Sequence, residues 1–172
     1  MSQRPQPEEY DKFFEKYIAL VPEEGSLEEL LGEQAKAVIA LFGELSEEQA
    51  AYRYAPGKWS FKQLLGHLID SDRIMSYRMF WISRGDSTSL PGFDENFFVE
   101  AGQYDSYLLK DLIPLYEASR QSTLALVGSI KDEAWTRMGN ANGHAISAGA
   151  QLCLMIGHER HHLNIIKERY LG

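Results

Sequence analysis

Apolar residues recur every three or four positions along most of the chain, a spacing that predicts amphipathic helices. Four long segments show this pattern, at 26–45, 60–83, 107–129 and 147–172. A shorter segment at 10–20 ends before Pro22. Alternation of period two is not convincing anywhere, so we predict no strand. An all-α four-helix bundle with a short extra N-terminal helix therefore suits the 172 residues.

Serine residues mark the predicted helix starts. A Ser followed three residues later by Glu or Gln forms a capping box, and the three such pairs are Ser26/Glu29, Ser46/Gln49 and Ser60/Gln63. Ser147 is expected to cap the last helix. Pro114 lies inside the third long segment, where we expect a kink or a later start. Loops are predicted at 137–147, which is rich in small polar residues, and at 84–105, whose length is typical of functional or mobile connections.

The chain is predicted to form one domain over residues 1–172, with residues 1–9 loose. Its formal net charge is −8, which disfavours nucleic acid and anionic membranes as partners because both attract clustered Lys and Arg. Cys153 is the one cysteine, so no intrachain disulfide can form. No stretch reaches the roughly 20 apolar residues of a membrane span. We expect a cytoplasmic protein.

The histidines of the last predicted helix carry candidate chemistry. His158 and His162 are four residues apart, so they project from one helix face and could grip one ion. At about 100° per residue, His162 falls in the middle of the apolar stripe and His161 at its border. Buried imidazoles need polar partners. A shared metal would supply them, and the alternative is a pair of hydrogen-bonded core histidines.

His67 is the candidate third ligand, because it is the other histidine on a strongly amphipathic helix. A lone histidine on such a face is more often a satisfied core or border residue, and that alternative stays open. Three histidine ligands would leave coordination positions free for water, as catalytic sites do. A water bound to such a metal can approach a pKa of about 7 and supply hydroxide.

The run from His158 to His162 also matches the HExxH helix of zinc proteases. We reject that interpretation because no histidine follows His162 to supply the downstream ligand. Two interpretations of Glu159 stay open. It could orient a ligand histidine through a hydrogen bond, or it could lie at the border of the helix with its carboxylate in water.

Further candidates lie beside His67 and in the long connection. Asp70 could form a hydrogen bond to a metal-bound water or to a ligand, or it could be a solvated or capping carboxylate. Arg78 could hold an anionic substrate group, although a structural ion pair is the more common role. Asp94, Glu95 and Asn96 could close over the site, but we expect them first to order the loop. Gly66 and Gly157 each precede a candidate ligand, which indicates close helix contacts because mid-helix glycine costs about 1 kcal/mol relative to alanine.

The chain resembles the DinB-like superfamily, which includes the YfiT-type proteins. The matching stretches are Trp59-Ser60, Gly66 to Asp70 with Arg73, Arg84-Gly85-Asp86, Leu90 to Asp94, and Gly157 to His162. The resemblance implies a bundle with up-down-down-up connectivity and homodimers. It also implies a divalent ion, zinc or nickel first and manganese or iron next, held by His67, His158 and His162. Some members resemble transferases that use a low-molecular-weight thiol as co-substrate.

We therefore expect a metal-dependent enzyme that acts on a small molecule by thiol transfer or hydrolysis, with Asp70, Glu159 and Arg78 as candidate catalytic residues. A non-catalytic metal-binding or stress-response module is the alternative. A bundle without a physiological metal is the third possibility.

Overall fold

Serine side chains cap four helices in the computed structural model, which describes residues 4–172. The hydroxyl oxygens of Ser26, Ser46, Ser60 and Ser147 each accept a hydrogen bond, 3.0–3.2 Å long, from the backbone N–H three residues ahead. These bonds satisfy N–H groups that have no partner inside the helix. The predicted helix starts therefore lie where the sequence marks them.

Seven α-helices follow one another along the described residues. They are α1 (Glu15–Ile18), α2 (Leu27–Gly43), α3 (Glu47–Ala50), α4 (Phe61–Ser83), α5 (Glu95–Gly102), α6 (Leu109–Ser129) and α7 (Ala148–Ile165). A π-helical turn, Ile166–Tyr170, extends α7. Helix α6 passes through Pro114, so the later start at that residue is wrong. Among residues 4–172, no helix is long and apolar enough to cross a membrane.

Helices α4 and α6 run parallel to each other. Near their starts, Lys62 Nζ donates to the carbonyl oxygen of Tyr107 at 2.8 Å. Further along both helices, Thr123 Oγ1 donates to Asp72 Oδ2 at 2.9 Å. Residue numbers therefore increase in the same direction on both helices, which requires the long connection that holds α5.

Helices α2 and α7 run against that pair. The Tyr170 hydroxyl, just beyond α7, donates to the carbonyl oxygen of Trp59, just before α4, at 2.7 Å. The start of α2, with Leu31, shares one hydrophobic cluster with the end of α6, with Val127. The four long helices thus form an up-down-down-up bundle, as the resemblance implied.

A β-hairpin replaces the predicted loop at 137–147. Strands β1 (Met138–Ala141) and β2 (His144–Ser147) pair antiparallel. The turn residues Asn142 and Gly143 have φ of 57° and 81°, the values that favour an Asn-Gly hairpin turn. The prediction of no strand is wrong because each strand has four residues, too few to show a period-two pattern.

The N-terminal segment is fixed to the bundle from residue 4. Arg4 Nε donates to the carbonyl oxygen of Glu23 at 3.2 Å, and residues Pro7–Glu9 form a 3₁₀ turn. The expectation of a loose segment over residues 1–9 stays a prediction. The first three residues of that expectation lie outside the described residues.

Both glycines before the candidate ligands permit close approach, as predicted. A Cβ on Gly66 would lie 2.1 Å from the Tyr104 ring, and a Cβ on Gly157 would lie 1.9 Å from the backbone oxygen of Tyr17 in α1. The contacts come from the connecting segments rather than from another long helix. Gly157 therefore allows α1 to lie directly against α7.

Replacing Gly157 with alanine should destabilise the protein by about 1–3 kcal/mol, because the new methyl group must push rigid backbone away. Chemical denaturation measures the effect. Gly32→Ala in α2 is the matched control, since nothing lies within 4 Å of its Cβ position. That control should be neutral or stabilising by up to about 1 kcal/mol. Equal effects of both substitutions would contradict the close contact of α1 with α7.

Candidate metal centre

The side chains of His67, His158 and His162 meet inside the bundle. Their Nε2 atoms lie 3.2 Å (His67 to His158), 3.1 Å (His67 to His162) and 3.2 Å (His158 to His162) apart. The residues are only 1%, 6% and 8% exposed. Three nitrogen atoms from two helices therefore form a nearly equilateral triangle.

Aromatic rings hold these imidazoles in place. The Trp59 ring lies 4.7 Å from the His67 ring, centre to centre. The Tyr17 ring meets His158 edge-on at 5.5 Å. Trp59 precedes α4, and Tyr17 belongs to α1. Residues outside the four long helices therefore pack against the histidine rings and restrict their orientations.

Burial keeps the three histidines neutral. Burial, with His162 as a smaller contribution, lowers the pKa of His67 to about 3. Burial, with His67 and His161 as smaller contributions, lowers the pKa of His158 to about 3. Burial, with His158 and His161 beside it, lowers the pKa of His162 to about 2. A neutral imidazole has one donor and one acceptor, so three Nε2 atoms that face one another lack matched partners. Neutral Nε2 lone pairs are, however, the form in which histidine binds a metal.

The spacing of the nitrogen atoms suits a divalent cation. In a tetrahedral site with Zn–N bonds of about 2.0–2.1 Å, ligand nitrogens lie about 3.3 Å apart. The observed 3.1–3.2 Å is close to that value. Among residues 4–172, these three form the group of His, Cys, Asp and Glu side chains that could hold an ion. The donor set therefore fits a metal.

His161 stays outside this group. It is partly exposed, and its ring lies 5.4 Å from that of Tyr17. The structure thus places His162 rather than His161 beside His158, the arrangement that the helical wheel predicts.

A carboxylate from the long connection, named in the sequence analysis only as a loop residue that could close over the site, lies at the rim of the triangle. Glu95 Oε2 is 3.6 Å from His67 Nε2, and the Glu95 side chain is 53% exposed. Asp94 accepts hydrogen bonds from Asn96 N and Phe97 N, so it caps α5 and fixes Glu95 as the first residue of that helix. Asp94 therefore stabilises the connection between α4 and α6, and Glu95 of the same connection lies over the histidines.

The sequence matches the DinB superfamily across residues 30–166. The chain belongs to the DinB superfamily. A candidate metal-dependent hydrolase from Oceanobacillus iheyensis is 28% identical over 126 residues, which are 72% of this chain and 71% of that protein.

Two solved structures share the fold of this DinB-superfamily protein. YfiT from Bacillus subtilis, described as a candidate metal-dependent hydrolase with an unusual four-helix bundle topology, superposes with a TM-score of 0.70 at 20% identity, over 96% of this chain and 90% of that one. A mycothiol-dependent maleylpyruvate isomerase superposes with a TM-score of 0.64 at 16% identity, over 87% of this chain. This chain spans 59% of the isomerase.

Glu159 lies in a buried polar network and not in water. Its carboxylate accepts hydrogen bonds from Gln34 Nε2 at 2.7 Å, the Tyr116 hydroxyl at 2.8 Å and Arg120 Nη2 at 2.7 Å. The Glu159 residue is 2% exposed, so the border position predicted as one alternative is wrong. Its partners belong to α2 and α6, and the network shows no bond from Glu159 to a histidine of the DinB-type site.

Arg120 links that network to α4. Its Nε lies 3.1 Å from Asp72 Oδ1, close but not aligned as a hydrogen bond, and both side chains are almost fully buried. Burial disfavours the charged guanidinium, but the carboxylates of Glu159 and Asp72 outweigh burial and raise the pKa of Arg120. One buried cation thus lies between two buried anions.

The other two candidate catalytic residues form hydrogen bonds to residues outside the histidine triangle. Asp70 accepts a hydrogen bond from the Tyr104 hydroxyl at 2.6 Å, which holds that ring against Gly66. Arg78 Nη2 donates to the carbonyl oxygen of Pro91 at 2.6 Å. No ion pair among residues 4–172 includes Arg78, so the structural ion pair expected for it is absent from the described part of the chain.

Arg120→Met should lower the free energy of unfolding by about 3–5 kcal/mol, because it leaves two carboxylates buried without a cation. Urea denaturation measures the loss. Arg73→Met is the control, since the Arg73 side chain is 54% exposed and lies 3.8 Å from Asp70. Exposed pairs of this kind contribute less than about 1 kcal/mol. A small loss in Arg120→Met would show that the network does not stabilise the bundle.

Proposed function

We propose that this DinB-superfamily protein is a metal-dependent enzyme that acts on a small molecule. His67, His158 and His162 would hold a divalent cation, zinc or nickel first, with manganese or iron as further candidates. The observation that carries the proposal is the convergence of three buried, neutral Nε2 atoms within 3.2 Å of one another. The candidate hydrolase from Oceanobacillus iheyensis supports hydrolysis as the first reaction to test.

His67, His158 and His162 would hold the cation with a position left open, where it would lower the pKa of a bound water or thiol. Glu95 is the residue suited to accept the released proton, since its Oε2 lies 3.6 Å from His67 Nε2 on the exposed side. Trp59 and Tyr17 shield the other sides of the imidazoles. The exposed Glu95 side chain therefore marks the side of the triangle from which a small molecule would approach in this proposal.

Thiol transfer is the second candidate reaction. Cys153 is buried in the core, and burial raises the pKa of its thiol to about 12. A nucleophilic thiol would therefore come from a low-molecular-weight co-substrate and not from this chain. The shared fold with a mycothiol-dependent isomerase supports testing this reaction.

Metal binding should require all three histidines. Calorimetric titration of metal-free, untagged protein with Zn²⁺ or Ni²⁺ should give one site in the wild type and none in His67→Ala, His158→Ala or His162→Ala. At a free metal concentration 1,000-fold above Kd, the wild type should gain about 4 kcal/mol of stability. His161→Ala is the control and should bind as the wild type does. Full metal occupancy in His67→Ala would rule out the site on two helices.

Catalysis should depend on Glu95. Metal-loaded protein should turn over members of a panel of esters, amides and thiol–electrophile pairs. Glu95→Gln should lower kcat about 10²-fold or more, the usual contribution of a general base, with metal content unchanged. Glu100→Gln, an exposed residue of the same helix, should leave kcat unchanged. Absence of turnover across the panel, with metal bound, would favour the non-catalytic binding module.

A further inference from the structure

A cleft of about 320 Å³ opens between α4 and the segment before and within α5. Its walls are mostly apolar, with Ile74, Tyr77, Leu90, Phe93 and Phe98 among them. Two arginines, Arg73 and Arg78, also line this cleft, which we call the Arg78 cleft. Tyr77 and Phe98 are 50% and 38% exposed, so they form the mouth. The cleft is large enough for a small organic molecule.

Arg78 has no counter-charge within residues 4–172. The residue is 5% exposed, and its protein contacts are the carbonyl oxygen of Pro91 and the Phe93 ring, whose centre lies 6.0 Å from the guanidinium carbon. Burial lowers its pKa, and no nearby carboxylate opposes that shift. Arg120, equally buried, lies between two carboxylates. A buried cation without an anion is costly, so Arg78 is poised to gain one.

The Arg78 cleft and the histidine triangle lie on the same side of α4, about 16 Å apart along the helix axis. Arg78 follows His67 by eleven residues on α4, which is three turns and about 20° around the helix, so both face the same side. On α5, Glu95 lies beside His67 and Phe98, one turn later, lines the cleft. The same short helix therefore borders both features, and a molecule bound in the cleft can extend towards the imidazoles.

We propose that the Arg78 cleft binds a carboxylate carried on an apolar or aromatic body, and that this group anchors the substrate of the three-histidine site. The second part rests on the proposed function, and the first does not. Arg73, the other arginine of the cleft, already has a carboxylate, Asp70, 3.8 Å away. A carboxylate on the ligand would carry the single negative charge that Arg78 lacks, and it can accept two parallel hydrogen bonds from an arginine. The apolar walls select the body that carries it.

Calorimetry with 4-phenylbutyrate and with its neutral amide tests the proposal on the full chain. The acid should bind about ten- to a hundredfold more tightly than the amide, the usual gain from a charge-assisted hydrogen bond. Arg78→Met should lose this preference. Arg84→Met removes the same charge from an exposed position at the end of α4 and should keep it. Equal binding of acid and amide by the wild type would overturn the proposal without any variant.

A carboxylate could instead bind a metal held by the histidines, so the same titrations are repeated with His162→Ala without added metal. If His162→Ala still binds the acid more tightly than the amide, the acid binds at the Arg78 cleft. This result would hold even if the wild type showed no metal binding. Loss in His162→Ala with retention in Arg78→Met would assign the carboxylate to the metal and overturn the proposal. Tighter binding of phenyl phosphate than of 4-phenylbutyrate would overturn the proposal as well. So would a dimer that buries the Arg78 cleft and that the acid does not dissociate.

Discussion

Arg120 Nη2 lies 2.7 Å from Glu159 Oε2, and Arg120 Nε lies 3.1 Å from Asp72 Oδ1, so one guanidinium joins three helices of the bundle. Gln34 and Tyr116 complete the network through Glu159, and Gln34 adds the fourth helix. A buried ion network contributes little net stability over apolar packing, but its geometry admits few alternatives. Its main effect is therefore to fix how the four helices sit against one another.

This alignment of the four helices determines where the three histidines lie. Glu159 follows His158 directly, so fixing its carboxylate towards α2 and α6 turns His158 and His162 towards α4. On α4, Asp72 lies five residues after His67, about 140° around the helix, so its ion pair with Arg120 leaves His67 facing α7. Helices α4 and α7 thus each contribute one residue to the charge network from one face, and the histidines of the triangle from another face. The core ion pairs and the candidate metal site depend on the same alignment.

The sequence predicted the features that depend on neighbours along the chain. Serine caps set the helix starts, and four-residue spacing paired His158 with His162. The sequence analysis named Glu95 and Glu159 but left their contacts open, because these depend on which helix packs against which, and a helical wheel carries no such information. The hairpin within 138–147 escaped because four-residue strands show no periodicity, although the Asn-Gly pair at its turn is a recognised hairpin signal.

The buried residues Arg78 and Arg120 differ in whether carboxylates neutralise their charge. Arg120 is neutralised within the four long helices, where any motion would leave carboxylates unpaired. Arg78 faces α5 and the segment before it, where Pro91 offers one carbonyl oxygen and no charge. Because Glu95 and Phe98 share that short helix, a shift of α5 would move the proposed base and the wall of the cleft together. The rigid bundle therefore presents the histidines, and the connection between α4 and α6 decides what reaches them.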